Sequence, residues 1–180
     1  QSKYEIDAGE TNAIFNGEPV VVDLNTSTGG YLVTAAAGTS MVGVLNGVLF
    51  TDATTSKPTF SNFYPAATTP ANSEDITAFV NDDPFQEYII ASDATLGGTL
   101  ALRKSKIGLT YATTAAAGST TTGKSSIQLG ISTGATTAKQ LRVVRVAEDP
   151  ENEDQTAANC SLVVKVNLHQ YTVGSLATGI

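Results

Sequence analysis

At 180 residues with 41% apolar side chains, the chain is long enough to bury its own core and too apolar to be disordered by composition. Only 15% of the residues are charged and the net charge is −7, which argues against nucleic acid as a partner. No run of about 18 apolar residues occurs, so no membrane-spanning helix is expected.

The charge is segregated along the chain. Residues 1–100 hold twelve acids and two bases, residues 101–147 hold seven bases and no acid, and residues 148–154 hold five acids. Such a pattern can steer one face toward a partner, or it can be neutralised inside one fold.

Residues 1–12 read as an N-terminal arm that becomes a first strand. Tyr4 and Ile6 alternate with charged neighbours before Gly9 and Asn12 break the run. Strands are predicted at 13–15 and 20–24, around Asn16-Gly17-Glu18-Pro19, because Asn-Gly tolerates the positive φ of a tight turn. A short strand follows at 31–34. Residues 41–51 read as a hairpin or a bulged strand about Asn46-Gly47. Residues 52–75 are loop-like, punctuated by Pro58, Pro65 and Pro70. They carry Phe60, Phe63 and Tyr64, which either pack on the chain's own core or meet a partner.

Residues 76–92 give the strongest local signal. Two runs rich in β-branched and aromatic residues flank Asn81-Asp82-Asp83-Pro84, which predicts a β-hairpin. The first run is apolar on both faces, with Ile76, Ala78 and Val80 on one and Phe79 on the other, so it is predicted to be a central strand buried on both sides. Further strands are predicted at 97–102, 107–111, 126–131 and 141–146. Residues 112–124 form an Ala/Thr/Gly/Ser loop too featureless to pack a core. An acidic loop spans 147–159. In 161–169, Leu162, Val164, Val166 and Leu168 alternate with Val163, Lys165, Asn167 and His169, the pattern of a half-buried strand. Residues 171–180 read as a C-terminal arm. The expectation is an all-β chain, a single domain over 1–180. It would be an antiparallel β-barrel or sandwich of about 8–11 short strands with long loops and terminal arms.

Little in the sequence points to chemistry. His169 is the only histidine, so any Ser-His-Asp system would need it; beside Gln170 and Tyr171, on what reads as an edge-like strand face, it reads as a surface or interface residue. One histidine and one cysteine supply too few of the usual zinc ligands. Cys160 precedes an apolar strand and reads as a buried free thiol. Glu148, Asp149, Glu151, Glu153 and Asp154 read as a solvated loop, with calcium as the alternative, although EF-hand spacing is absent. Arg103-Lys104-Ser105-Lys106 is a short basic stretch without interleaved aromatics. No cofactor and no enzymatic activity are expected.

Three segments resemble a family of tailed-phage virion proteins known mainly from marine phages. The first is Tyr4-Glu-Ile-Asp-Ala-Gly9 followed by Ala13-Ile-Phe-Asn-Gly-Glu-Pro-Val20. The second is Val42-Gly-Val-Leu-Asn-Gly47, with the aromatic, proline-bearing stretch 60–66. The third is Ala78-Phe-Val-Asn-Asp-Asp-Pro84 leading into 87–90. In that family a strand ending Gly-Asp-Pro-Val, a Gly-Val-x-x-Gly strand and a Val-x-Asp-Asp-Pro turn come in this order. Here Glu18 stands in the place of the Asp. The similarity covers residues 4–95.

The resemblance implies a capsid decoration, or cement, protein. Such a protein is made in the host cytoplasm and sits on the outside of the virion's icosahedral head. Its partners would be the major capsid protein and itself, as a homotrimer, with no nucleic acid and no membrane. Tyr4, Ile6, Phe60, Phe63, Tyr64, Arg142, Arg145 and Tyr171 are the candidate protein–protein contacts. The alternative is a glycan- or receptor-binding β-sandwich of fibre or adhesin type. Its aromatic platform would be drawn from Phe60, Phe63, Tyr64 and Tyr111.

Overall fold

The computed structural model describes residues 1–25, 29–114, 116–133, 138–152, 154 and 156–172, without the side chains of Thr133 and Glu151. The chain is all-β. Among the described residues, ten strands form two antiparallel sheets and no helix exceeds five residues. The fold divides into two compact units. One holds residues 1–35, 41–83 and 117–126; the other holds 36–40, 84–116 and 127–180. Each unit carries one of the sheets.

The first unit contains β1 (Ser2–Ile6), β2 (Pro19–Val22), β3 (Leu32–Thr34), β4 (Gly43–Thr51), β5 (Pro58–Ser61) and β6 (Ile76–Asn81). Their order in space is β1-β6-β4-β2-β3, with β5 also paired to β4. β4 divides one of its edges between two partners: Val44 and Gly43 meet β2, and Val48 to Thr51 meet β5. On its other edge the register against β6 slips between Leu45 and Gly47, so Asn46-Gly47 forms a bulge and not a hairpin turn. The Phe60 ring lies over Gly47: a Cβ there would sit 2.7 Å from the ring tip and 3.0 Å from Ser61 O, so a larger residue would push the ring aside.

β6 is central, between β1 and β4, as its sequence predicts. Ile76, Ala78 and Val80 enter a core shared with Ile6, Ile14, Val20, Leu32, Leu45, Val48 and Tyr64. The expected burial of both faces is not found. Phe79, on the opposite face, is half-buried and is met by Phe60 at a ring-centroid distance of 6.2 Å.

Several expectations change at this level. The predicted hairpin over 76–92 does not form: β6 pairs with β1 and β4, and the next strand joins the other sheet. Turn chemistry marks where a strand stops and says nothing of what pairs with it. The strand predicted at 13–15 reduces to one bridge, Ile14 to Tyr64, closed by N–H···O bonds of 3.0 and 2.8 Å. The low-complexity loop is not wholly outside the packing. Asn16 N–H donates to Gly123 O and Ser125 N–H to Asn16 O, and Gly118 lies so close to the Phe15 ring that a Cβ would fall 2.3 Å from it. Small residues let the backbone itself do the packing.

Glu18 closes the turn after Asn16-Gly17. It is buried, and its carboxylate accepts the Phe15 N–H at 2.7 Å. Burial pushes its pKa up, and the Phe15 hydrogen bond offsets only part of this. A raised folded-state pKa means that the favourable contribution is present below the unfolded pKa and is lost as pH rises through the folded one. Glu18→Gln keeps an acceptor and removes the charge. It is expected to raise the unfolding midpoint at pH 7 and to make no difference below about pH 4, where the carboxyl is protonated in both states. Thermal melts at the two pH values check this, and a lower midpoint at pH 7 would contradict it.

The second unit contains β7 (Glu87–Ala91), a short helix α1 (Leu100–Lys104), β8 (Thr110–Tyr111), β9 (Leu141–Val146) and β10 (Ser161–Val166). The order is β7-β10-β9-β8. Leu141, Val143, Leu162 and Val164 are buried, as are Leu96, Tyr111, Leu129 and Ile131. Val163, expected on the wet face, is buried too, with Ile89 and Arg145 opposite it on the neighbouring strands. The strand predicted over 97–102 is instead the helix α1. Thr99 caps it by accepting the Leu102 N–H at 3.3 Å. Of 107–111 only the last two residues are strand, and of 126–131 only Leu129 bridges, to Ser92 and Thr113.

His169 is not at the surface, and β10 is not an edge. The strand lies between β7 and β9, and the chain turns inward after it, so that His169 and Gln170 are buried. The His169 Nδ1 accepts the Tyr171 N–H at 3.2 Å. Most of the expected C-terminal arm, 173–180, lies outside the described residues.

Candidate interaction surface

The candidate contact residues separate by burial. Ile6 and Tyr64 are fully buried in the first unit's core and offer no surface; the Tyr64 hydroxyl donates to Glu10 O at 2.7 Å. Tyr4 is half-buried on β1 and donates to the Asp82 carboxylate at 3.0 Å. Burial disfavours that carboxylate's charge, but hydrogen bonds from Ser2 and Tyr4 outweigh it and hold the Asp82 pKa below the usual range. Phe63 is half-buried and stacks on Phe15, with centroids 5.4 Å apart and planes within 4°. Phe60 is 63% exposed, beside the partly exposed Leu49 opposite it on β4.

In the second unit, Arg142 and Arg145 point outward from β9 and are engaged locally. Arg142 donates to Asn167 Oδ1 at 2.9 and 3.2 Å and to Gly108 O at 3.3 Å. Arg145 and Lys165 both reach Glu87, at 3.3 and 3.5 Å. These pairs are half-exposed and contribute about 0–1 kcal/mol each. They order the face more than they stabilise it. Tyr171 is exposed, its ring edge-on to His169.

The most exposed apolar side chains of this unit were not singled out by the sequence. Phe85 is 79% exposed and Ile89 71%, and Leu100, Leu102 and Ile107 follow around α1. Leu100 and Ile107, with Arg103 and Lys104, form one wall of a 550 Å³ groove; Arg145 and Val146 of β9 also line it, with Glu148 and Asp149. A 350 Å³ hollow beside Ile89 shares Arg145, Glu148 and Asp149 with it. Apolar surface with mixed charge, Arg145 beside Glu148 and Asp149, therefore links the hollow at Ile89 with the groove at α1. The helical signal, Thr followed by Leu-Ala-Leu-Arg-Lys, was available in the sequence, since Thr is a good N-cap and the rest favour helix.

This surface suits binding. Cys160 is buried, and burial pushes its thiol pKa up, away from a reactive thiolate. The acidic loop is pinned by the buried Asn152, whose side chain donates to Ala147 O and Ser161 O and accepts the Ser161 N–H. Among the described residues no three His, Cys, Asp or Glu side chains converge on a metal-sized site; Glu153 and the Glu151 side chain lie outside them. Comparison with models of known protein families, with curated proteins and with solved structures finds no significant match.

Proposed function

We propose that this chain is a structural virion protein, a capsid decoration (cement) protein. In this reading it binds the outside of a phage head, stabilises contacts between capsomers, and has the major capsid protein and further copies of itself as partners. The resemblance carried by residues 4–95 supports the reading. The observation that carries it in the structure is the set of large apolar side chains left in water on both sheets. Phe60 and Leu49 stand on one and Ile89 on the other, with Phe85 in the turn that leads into β7. Clustered apolar exposure of this kind is characteristic of surfaces that bind other proteins. A static cement needs such area and no reacting groups. The glycan-binding alternative is weakened, because Tyr64 and Tyr111 are fully buried and Phe63 is stacked on Phe15, leaving Phe60 as its one exposed ring.

The test is co-sedimentation with expanded, empty phage heads. Wild-type protein is expected to saturate the heads at a fixed copy number. The double variant Phe60→Ser/Ile89→Ser, with both changes on exposed side chains, is expected to lose occupancy while keeping its β-sheet circular dichroism. Equal occupancy by wild type and variant, or none by wild type, would overturn the proposal.

A further inference from the structure

Among the described strands, large apolar side chains stand in water at three positions: Leu49 on β4, Phe60 on β5 and Ile89 on β7. Leu49 and Phe60 share the outer face of the first sheet, and the register fixes their surroundings. One row across the strands runs Glu5, Thr77, Leu49, Phe60; the next runs Lys3, Phe79, Gly47. Ala78 and Val48, between the rows, point the other way into the core. Because Gly47 has no side chain, the Phe60 ring lies down over it and reaches Phe79. The result is a low apolar patch with one base and one acid side by side at its β1 end. Lys3 and Glu5 are exposed, and neither is in an ion pair among the described residues.

This face is complementary to itself. A two-fold axis running along the rows, midway between them, sets each row against the other row of a second copy. Lys3 then meets the partner's Glu5, twice over, and the Phe60 ring above Gly47 meets the partner's Leu49. No like charges are brought together. The face around Ile89 lacks this property. There Arg145 and Lys165 outnumber Glu87, to which both are already bound, so two such faces would set cation against cation.

We propose that two copies of this chain pack through the outer face of the first sheet about a two-fold axis, with Lys3 against the partner's Glu5 and Phe60 against the partner's Leu49. Such a contact uses the same patch on both copies and closes at two. Few side chains contribute, far short of the roughly 20–30 a side in a stable interface, so the dimer is weak and depends on concentration. The apolar side chains supply its affinity, and the charge pairs select its register. It assigns the Phe60 side of the exposed surface to self-contact, needs no capsid and goes beyond the decoration reading.

Sedimentation equilibrium over a concentration series tests it, in enough salt to screen the net charge of −7 that keeps copies apart. Wild type is expected to follow a monomer–dimer equilibrium. Lys3→Glu and Glu5→Lys are each expected to weaken the dimer by about tenfold or more, because the axis brings the like charges together twice, and their combination is expected to restore it. Phe60→Ser is expected to abolish it, and Ile89→Ser to leave it unchanged. All four positions are exposed, so circular dichroism should stay unchanged. A wild type that stays monomeric or forms a trimer, single reversals without effect, a double reversal that fails to recover the dimer, or its loss in Ile89→Ser would overturn the contact. A wild-type monomer that still binds heads would sink this inference alone; a dimer that ignores them would sink only the decoration reading.

Discussion

Tyr64→Ala is expected to destabilise the first unit by roughly 3–5 kcal/mol, a large part of the stability of an ordinary domain. The residue lies in a proline-punctuated loop where an aromatic could as well have been a binding residue, but its ring is fully buried among Ile6, Ile14 and Val48. Its backbone closes the bridge to Ile14, and its hydroxyl satisfies the Glu10 carbonyl. The truncation leaves a ring-sized cavity and removes that carbonyl's hydrogen bond. Tyr64→Phe separates the two effects, keeping the packing and costing about 1 kcal/mol for the lost bond. Urea unfolding followed by circular dichroism reads both. A Tyr64→Ala midpoint close to wild type would show that the ring does not hold the core. Loss of binding in this variant therefore reports unfolding and not a missing platform.

The fate of Tyr64 illustrates how much the sequence could tell. Period-two alternation is a local property, and it held in part: Ile76, Ala78 and Val80 face the core, and Leu162 and Val164 are buried on β10, but Val163 of the expected wet face is buried with them and Val166 is only half-buried. Pairing is not local. Asn81-Asp82-Asp83-Pro84 reads as a hairpin turn because it has the chemistry of one, yet its flanking strands belong to different sheets. His169 looked exposed because it continued an alternating register that stops at Val166. The candidate surface was legible only in part. Arg142 and Arg145, both named as candidate contacts, point outward, while Phe85 and Ile89 read as ordinary strand residues. Exposure depends on which neighbours cover a side chain, and those neighbours come from distant parts of the chain.

Gly43→Ala should be the most damaging change for its size. A Cβ there would lie 2.2 Å from the Asn81 carbonyl oxygen, 2.9 Å from that carbonyl carbon and 2.8 Å from Val80 Cγ1. The close atoms are chiefly backbone of β6, so no side-chain rotation can relieve the clash. β6 would have to move off β4, where Val44 faces Asn81 and Leu45 faces Val80. Gly43 also pairs with Val20, so the shift reaches β2 and the edge that β4 divides with β5. Overpacking of this kind costs roughly 1–3 kcal/mol, more where the strand cannot yield. Gly98→Ala is the matched control: a Cβ there meets nothing within 4 Å, and the change is expected to stay within about 0.5 kcal/mol of wild type. Hydrogen exchange should show the Gly43→Ala loss concentrated in the amides between β4 and β6. Equal effects from the two substitutions would mean that the strands are not in this register, because a slip of one residue would take Gly43 away from Asn81 and leave the methyl group room.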